Sequence, residues 1–428
     1  MTILRARSRI FFLLPLLAML CLACASAPPL PAPDLPPLLS TGRTLEREIR
    51  AGEIHEYRIA VQSGDYARVT VDQNGADVAL RLIGPAGEEV AAADGVGGRK
   101  ELEMVSWIAA GGGDFRLSVT SKETGLYELS LEELRPSKEG DRERVAAEKA
   151  YFEALHRLAL EDQDSKEKAL LAIQEVLAVW KAIGDRRNEV AALNQIGAIH
   201  RGRGRAVFAL ALYGRALTLA RESGDRRGEA QTWNNLGVAH HQLGQYPVAI
   251  QDLRQARRIW EELDEPRELA NTLYSLGVVQ YDSGEPEAAL ETFNSALVLR
   301  DDQPLLLTGI ASIFRDRGEG DKALEIYRQA LDLSRSAKDR NDEANVLQNM
   351  ASIYLRRGEL QEALELYSGA LEIHRALGNP APEARVLSYL GATALYLGDL
   401  EQALGYYTRA LQLQRELGNQ VWEGYTLR

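Results

Sequence analysis

Histidine and cysteine, the side chains that most often serve as nucleophiles, general bases and metal ligands, are few in this chain of 428 residues. No two of the six histidines have the His-x-x-x-His spacing that would place both rings on one face of a helix. Cys21 and Cys24 are the only cysteines, so we expect no disulfide framework and no cysteine-based zinc site beyond them. The sequence also lacks Gly-x-Ser-x-Gly and a phosphate-binding loop that ends in Lys-Ser or Lys-Thr. We therefore predict a protein that is not an enzyme and that uses no metal and no cofactor.

The elements that position the remaining polar side chains follow from a repeated phrase. A marker glycine recurs at spacings of 40, 40, 34, 40 and 40 residues. Alanines five and twelve residues after it recur at the same spacings. The marker glycines are Gly204, Gly244, Gly284, Gly318, Gly358 and Gly398. A period of this size indicates a stacked array of units that bury their apolar faces against one another. Apolar residues recur every three or four positions, which predicts two amphipathic helices per unit, with the glycine in the turn between them.

Small residues recur where we expect the two helices of a unit to cross closely, and bulky residues fill the space between them. The small residues on the first helices are Gly197, Gly237, Gly277, Ala311, Ala351 and Gly391. The bulky residues on the second helices are Tyr213, Leu253, Phe293, Tyr327, Tyr367 and Tyr407. This pattern resembles the tetratricopeptide repeat, and the resemblance implies an all-α superhelical solenoid over residues 185–424. The predicted units are 185–224, 225–264, 265–302, 303–338, 339–378 and 379–418.

The resemblance also implies a binding groove, because in this family the first helix of each unit lines the concave surface. Counting back ten, thirteen and three residues from the marker glycines places hydrogen-bonding and aromatic side chains on that surface, where they suit an extended or helical peptide. The predicted groove residues are Asn194, Arg201, Gln231, Asn234, His241, Asn271, Tyr274, Tyr281, Thr308, Arg315, Asn345, Gln348, Arg385 and Ser388. The alternative, that these are ordinary solvent-facing polar positions, stays open at this point.

The two ends of the array differ from the repeated phrase. Residues 141–184 predict a degenerate helical hairpin without the marker glycine, which we interpret as an N-terminal cap. Residues 419–428 begin the first helix of a seventh unit, and no polar cap closes the stack. We therefore expect either that a partner contacts this end or that the chain is a fragment. Arrays with 40-residue units are often followed, as the resemblance implies, by a caspase-like peptidase domain termed CHAT. The alternative function is the regulatory or substrate-recruiting part of such a protease, whose catalytic domain would lie beyond Arg428.

Residues 44–135 change period and alternate apolar with polar side chains, as in Tyr57, Ile59 and Val61. Short strands with regular turns predict an all-β sandwich or jelly roll. The order of strand and turn phrases resembles the bacterial pre-peptidase C-terminal domain, which implies a non-catalytic accessory role in secreted proteins. Three residues here favour turn formation over a calcium site: Asp72, Asn74 and Asp77.

The N-terminus predicts export. Three arginines precede the apolar run of residues 10–22, which is shorter than the roughly 20 residues that a membrane-spanning helix needs. The end of this signal, residues 1–24, resembles a bacterial lipoprotein box, which implies a lipid on Cys24. The position three before this cysteine holds Cys21 instead of the usual leucine, and ordinary cleavage after Ala25 or Ala27 is the alternative. Residues 25–43 are rich in proline and predict an extended tether.

The formal charge of −12 limits the class of partner. An acidic chain without a basic stripe argues against nucleic acid, and like-charge repulsion disfavours direct binding to anionic lipid, so the membrane is expected only through the N-terminal anchor. We therefore predict an exported, lipid-anchored scaffold on the periplasmic or cell-surface side of a bacterial membrane, with a protein or peptide partner in its groove.

Overall fold

The alternating segment forms eight strands in two antiparallel sheets. The computed structural model describes residues 35–74, 77–93, 102–159, 163–300, 303–416 and 426. The strands are β1 (Thr44–Ile49), β2 (Ile54–Val61), β3 (Asp65–Asn74), β4 (Val78–Ile83), β5 (Glu89–Ala93), β6 (Leu102–Ile108), β7 (Gly113–Ser121) and β8 (Gly125–Pro136). One sheet has the order β1-β8-β3-β6 and the other β2-β7-β4-β5. Buried side chains from both sheets form one core, so the predicted β-sandwich is confirmed.

A buried polar bridge joins the two sheets of the sandwich. The hydroxyl of Tyr127 on β8 lies 2.6 Å from the hydroxyl of Tyr57 and 2.7 Å from Nδ1 of His55, both on β2. Burial, and then the hydrogen bond with Tyr57, raise the pKa of Tyr127 far above its usual range. Because a buried polar network is stable only when its members are paired, this bridge favours one register of the sheets and gives His55 a structural role.

The repeated segment forms fourteen helices among the described residues, arranged as consecutive hairpins. They are α1 (Asp141–Ala159), α2 (Gln163–Ile183), α3 (Arg186–Gly202), α4 (Ala206–Ser223), α5 (Arg226–Gln242), α6 (Tyr246–Leu263), α7 (Pro266–Asp282), α8 (Pro286–Leu299), α9 (Pro304–Asp316), α10 (Gly320–Ser336), α11 (Arg340–Arg357), α12 (Leu360–Ala376), α13 (Pro380–Leu397) and α14 (Leu400–Glu416). The hairpin α1–α2 precedes six units, from unit 1 (α3–α4) to unit 6 (α13–α14). None of the described helices is both long enough and apolar enough to span a bilayer. The chain divides at Lys138 and Glu139 into two compact units, the sandwich and the helical array. The predicted solenoid is therefore confirmed.

Each hairpin closes where a small residue meets a bulky one. A Cβ atom added to Gly277 on α7 would lie 2.5 Å from Cε1 of Phe293 on α8, and the same relation holds between Gly197 and Tyr213 at 2.3 Å. Phe293 and Tyr213 are fully buried. The marker glycines in the turns all have positive φ, between 71° and 86°, which L residues rarely adopt. The small residue of the first helix thus sets the distance between the two helices of a unit. The marker glycine allows the chain to reverse direction between them.

The links between units are held by capping and by ion pairs to a buried glutamate. In the link before α5, Gly224 ends α4 with a φ of 72°, and the carboxylate of Asp225 accepts a hydrogen bond from the amide of Gly228. Glu229, which is almost buried, accepts from Arg226 at 2.7 Å and from Arg221 of the preceding unit at 2.9 Å. The sequence Gly-Asp-Arg-Arg therefore encodes both the end of one unit and its attachment to the next.

The link before α9 is built differently, as the 34-residue spacing requires. α8 ends in extended backbone at Arg300, whose φ is −153° and ψ is 107°, and α8 and α9 have 14 and 13 residues. A Cβ atom added to Gly309 would lie 2.7 Å from Cζ of Phe293 in the preceding unit. The shorter link is accommodated because α9 approaches this ring through a residue without a side chain.

We predict that Gly277→Ala lowers the free energy of unfolding by about 1–3 kcal/mol, because the new methyl group would overlap the buried ring of Phe293. Gly214→Ala is the matched control, since an added Cβ at this glycine in α4 meets no atom within 4 Å. That variant should gain about 0.5–1 kcal/mol from the higher helix propensity of alanine. Urea unfolding of the full chain, followed by helical circular dichroism, measures both. Equal stability of the two variants would contradict the close helix contact.

Candidate peptide-binding surface

The first helices of neighbouring units form the closer of the two helical layers. Direct contacts join α3 to α5, α5 to α7, α7 to α9 and α9 to α11, whereas contacts between the second helices of neighbouring units are weaker among the described elements. A two-layer stack bends towards the layer whose members lie closer together. The first helices of units 1 to 5 therefore form the layer towards which the stack bends, and most of the predicted groove residues lie on these helices.

Hydrogen bonds connect the C-terminal ends of successive first helices. Nε2 of His241 lies 2.7 Å from a carboxylate oxygen of Asp282, and the hydroxyl of Tyr281 donates to Asp316 in the next unit. Each contact joins the residue three positions before one marker glycine to the residue two positions before the next marker glycine. Two of the predicted groove residues, His241 and Tyr281, consequently have partners within the array.

Arg315 is at the centre of the largest of these connections. Its guanidinium donates to Asn349 on α11 at 3.2 Å and to Asp316 beside it at 2.8 Å. Arg356 donates to the same carboxylate from α11 at 3.1 Å. Burial alone would raise the pKa of Asp316, but the hydrogen bonds from Arg315 and Tyr281 outweigh it and lower this pKa to about 2. This cluster locks units 3, 4 and 5 together and leaves Arg315 committed to neighbours inside the protein.

Other predicted groove residues towards the C-terminus are also satisfied internally. Thr308 donates to the carbonyl of Pro304 at 2.8 Å, and Arg385 donates to the side chain of Gln348 at 3.4 Å. Ser388 is buried, donates to the carbonyl of Ala384 and lies 2.9 Å from the hydroxyl of Thr426. Tyr274 packs its ring against Phe293, and Asn345 is half-buried.

Three predicted groove residues in units 1 and 2 differ from these, because each has a buried polar atom without a partner among the described residues. Asn194 donates through its amide nitrogen to Thr232 at 2.8 Å, but its Oδ1 atom is buried and accepts no hydrogen bond from the described residues. The same is true of Oδ1 of Asn234, at the corresponding position of the next unit, and Nε of Arg201 is buried without an acceptor in the described part of the chain. Such atoms are uncommon in folded proteins, since each costs roughly 1–3 kcal/mol when buried unpaired.

Exposed polar side chains extend this region along the first helices. Gln231 on α5 and Asn271 on α7 are exposed, and Asn271 also accepts from Gln303 at 3.4 Å. Most of the predicted groove residues thus bond or pack within the array. The exceptions, in units 1 to 3, are exposed or have a buried atom without a partner among the described residues: Asn194, Arg201, Gln231, Asn234 and Asn271. Sequence reasoning missed the internal partners Asp282, Asp316 and Arg356, which counting two residues back from the marker glycines would have found.

The described residues include no group of three or more His, Cys, Asp or Glu side chains placed to hold a metal ion. The surface presents hydrogen-bonding side chains that are held on helices. The fold and this surface together define the class: a helical-hairpin solenoid with a polar inner face.

Comparison with known proteins assigns a family to part of the helical array. The model of the tetratricopeptide repeat matches residues 228–301, 302–376 and 342–416, so this part of the chain consists of tetratricopeptide repeats. No curated protein matches the sequence.

Solved structures of similar fold agree with this assignment. A Rap protein complexed with the competence and sporulation factor has a TM-score of 0.52 at 17% identity, over 64% of this chain and 77% of that one. The apo form of RapI gives 0.51 at 14% identity, over 64% and 99% of the two chains. Aspartyl phosphate phosphatase F from Bacillus subtilis gives 0.51 at 17% identity, over 64% and 72%. At these identities the likeness shows the fold alone.

Proposed function

We propose that the helical array is a non-enzymatic scaffold that binds a protein or peptide partner along its first helices, with units 1 and 2 as the main contact region. The observation that carries this proposal is the set of buried, unpartnered polar atoms at Asn194, Arg201 and Asn234. A polypeptide has alternating N–H donors and C=O acceptors along its backbone. Its N–H groups would satisfy the two amide oxygens, and a carbonyl or carboxylate would satisfy the guanidinium.

The repetition of asparagine at one register position supports a polypeptide in particular. Asn194 and Asn234 each lie ten residues before a marker glycine, on helices that contact one another. Both sit in rigid helices, so little side-chain entropy is lost on binding. The Rap protein of the same fold is complexed with the competence and sporulation factor, which is consistent with a partner-binding role for such an array.

Internal pairing in units 3 to 5 supports the location of the contact. The Arg315 cluster would have to lose its own hydrogen bonds before it could bind a partner, and those bonds join three units. The amide oxygens of Asn194 and Asn234, which have no donor among the described residues, gain bonds without losing any. Binding energy is therefore available at the N-terminal part of the array.

We predict that Arg201→Ala combined with Asn234→Ala weakens partner binding at least about tenfold, because two polar contacts are removed. The partner is first recovered by pull-down with the full chain from extracts of the cells that encode it, and its affinity is then measured. Asn294→Ala combined with Arg328→Ala is the matched control, since both residues are exposed on second helices. Circular dichroism confirms that both variants fold. Equal binding by the two double variants would refute the proposed contact region.

We further propose that the protein is exported and anchored by a lipid on Cys24, which lies outside the described residues. The support is the order of arginines, apolar run and small residues before this cysteine, followed by the proline-rich tether. The β-sandwich would then be an accessory module carried outside the cytoplasm, as its resemblance to the pre-peptidase C-terminal domain implies.

Metabolic labelling with palmitate tests the anchor. The wild-type protein and Cys21→Ser should carry the label, whereas Cys24→Ser should not, because only the cysteine at the cleavage site accepts the lipid. Label that persists in Cys24→Ser would rule out this residue as the anchor.

A further inference from the structure

A histidine in the turn of unit 1 lacks the partner that its counterparts have. The position four residues before the marker glycine holds His200, His240 and Gln280 in units 1 to 3. Nδ1 of His240 lies 2.6 Å from a carboxylate oxygen of Asp252, and Gln280 accepts from the hydroxyl of Thr292 at 2.7 Å. Asp252 and Thr292 are each eight residues after their marker glycine.

In unit 1 the residue eight after the marker glycine is Leu212, which cannot form a hydrogen bond. His200 is only 8% exposed, and its Nδ1 atom is buried without a partner among the described residues. Its ring packs edge-on against Phe208 in the first turn of α4, with 4.5 Å between the ring centroids. The unpartnered imidazole therefore lies against the N-terminal end of α4.

Positive charge collects around this ring. Burial lowers the pKa of His200, and the nearby guanidinium groups of Arg205 and Arg203 lower it further. Arg203 pairs with Glu167 of the preceding hairpin at 3.1 Å. Arg205 has no carboxylate partner in the described part of the chain, and it occupies the N-cap of α4, where no side chain accepts from the helix.

The N-cap of α4 departs from the other second helices. The residue after the marker glycine is Gln245 in unit 2, and in units 3 to 6 it is acidic: Glu285, Glu319, Glu359 and Asp399. A carboxylate at this place offsets the positive end of the helix dipole, whereas arginine adds to it. The first turn of α4 also contains no acidic residue, so its N–H groups have no anion to face.

We propose that the turn of unit 1 binds an oxyanion, a phosphate or a carboxylate group, between Arg205, the ring of His200 and the N–H groups of the first turn of α4. The anion would supply at the N-terminus of α4 the negative charge that the acidic N-caps provide in units 3 to 6, and helix N-termini bind such groups through their N–H donors. This site lies at the turn rather than among the predicted groove residues. It does not depend on the proposed binding of a partner by Asn194 and Asn234.

Titration of the full chain with inorganic phosphate, at constant pH and ionic strength, tests the site through the histidine ring signals in NMR. The ring of His200 should shift in a saturable way, and the ring of His241, which is paired with Asp282, should not. Arg205→Gln, which installs the residue of unit 2, should weaken phosphate binding about tenfold because a charge-assisted contact is lost. Arg328→Gln, an exposed position on α10, is the control of equal charge change and should bind as the wild type does.

A second variant and a second probe complete the test. Leu212→Asp supplies His200 with the carboxylate that His240 has, so it should abolish the phosphate response while the chain stays folded. A tetraglutamate peptide is titrated in parallel: tighter binding of the peptide than of phosphate identifies a polypeptide carboxylate as the source of the oxyanion, and the reverse identifies a phosphate group. A His200 signal that neither probe shifts, or that responds equally in Arg205→Gln and the wild type, would overturn the proposal.

Discussion

The packing of one small residue, glycine or alanine, against one bulky residue, repeated in successive hairpins, is the constraint on which the helical array depends. Gly277 permits α7 to approach Phe293 more closely than any residue with a Cβ could. Since this contact fixes the distance and rotation of the two helices, the outward faces of α7 and α8 are fixed as well. Repetition of the contact in each unit places the first helices in one layer.

Buried apolar residues show how firmly the layers are joined. Those from Ala270 to Leu413 form one continuous core across units 3 to 6, whereas units 1 and 2 contribute several smaller clusters. The Arg315 cluster lies over the continuous core, and the predicted groove residues with an unpartnered buried atom, Asn194, Arg201 and Asn234, lie in units 1 and 2. Buried side-chain atoms without a partner among the described residues also occur at Tyr367 and His374 in unit 5, away from the predicted groove positions. In the proposed function, units 1 and 2 carry the recognition chemistry and the continuous core of units 3 to 6 supports them.

Much of the fold could be predicted from the sequence because its causes are local or strictly periodic. The marker glycines, the small and bulky pairs, and the alternation in residues 44–135 each specify a backbone geometry within one unit or one hairpin. The internal partners of Arg315 could not be predicted in the same way, because Asn349 lies 34 residues away and meets it only through the rotation between units. The unpartnered state of His200 could have been found, since comparing position 212 with Asp252 and Thr292 reveals the missing partner.

For the same reason, the sequence could place candidate residues on the inner layer but could not separate paired from unpaired ones. His241 and Asn234 are both polar residues of α5, and the sequence does not distinguish them. His241 has a carboxylate partner in the next unit, whereas Oδ1 of Asn234 is buried without a donor among the described residues. Whether a polar side chain on a repeat can contact a partner depends on what its neighbours two helices away present. The availability of a polar side chain therefore depends on how the units stack and not on the sequence of one unit.

The most direct measurement of partner binding on the inner layer is the labelling rate of single cysteines, which the chain permits because its own two cysteines precede residue 25. In a Cys21→Ser, Cys24→Ser background, Gln231→Cys and Asn271→Cys report on the first helices, and Gln251→Cys and Asn294→Cys report on the second, all four at exposed positions. The bound partner should slow maleimide labelling at residues 231 and 271 and leave residues 251 and 294 unchanged. Protection confined to residues 251 and 294, or equal at all four, would contradict the assignment of the first helices as the binding surface.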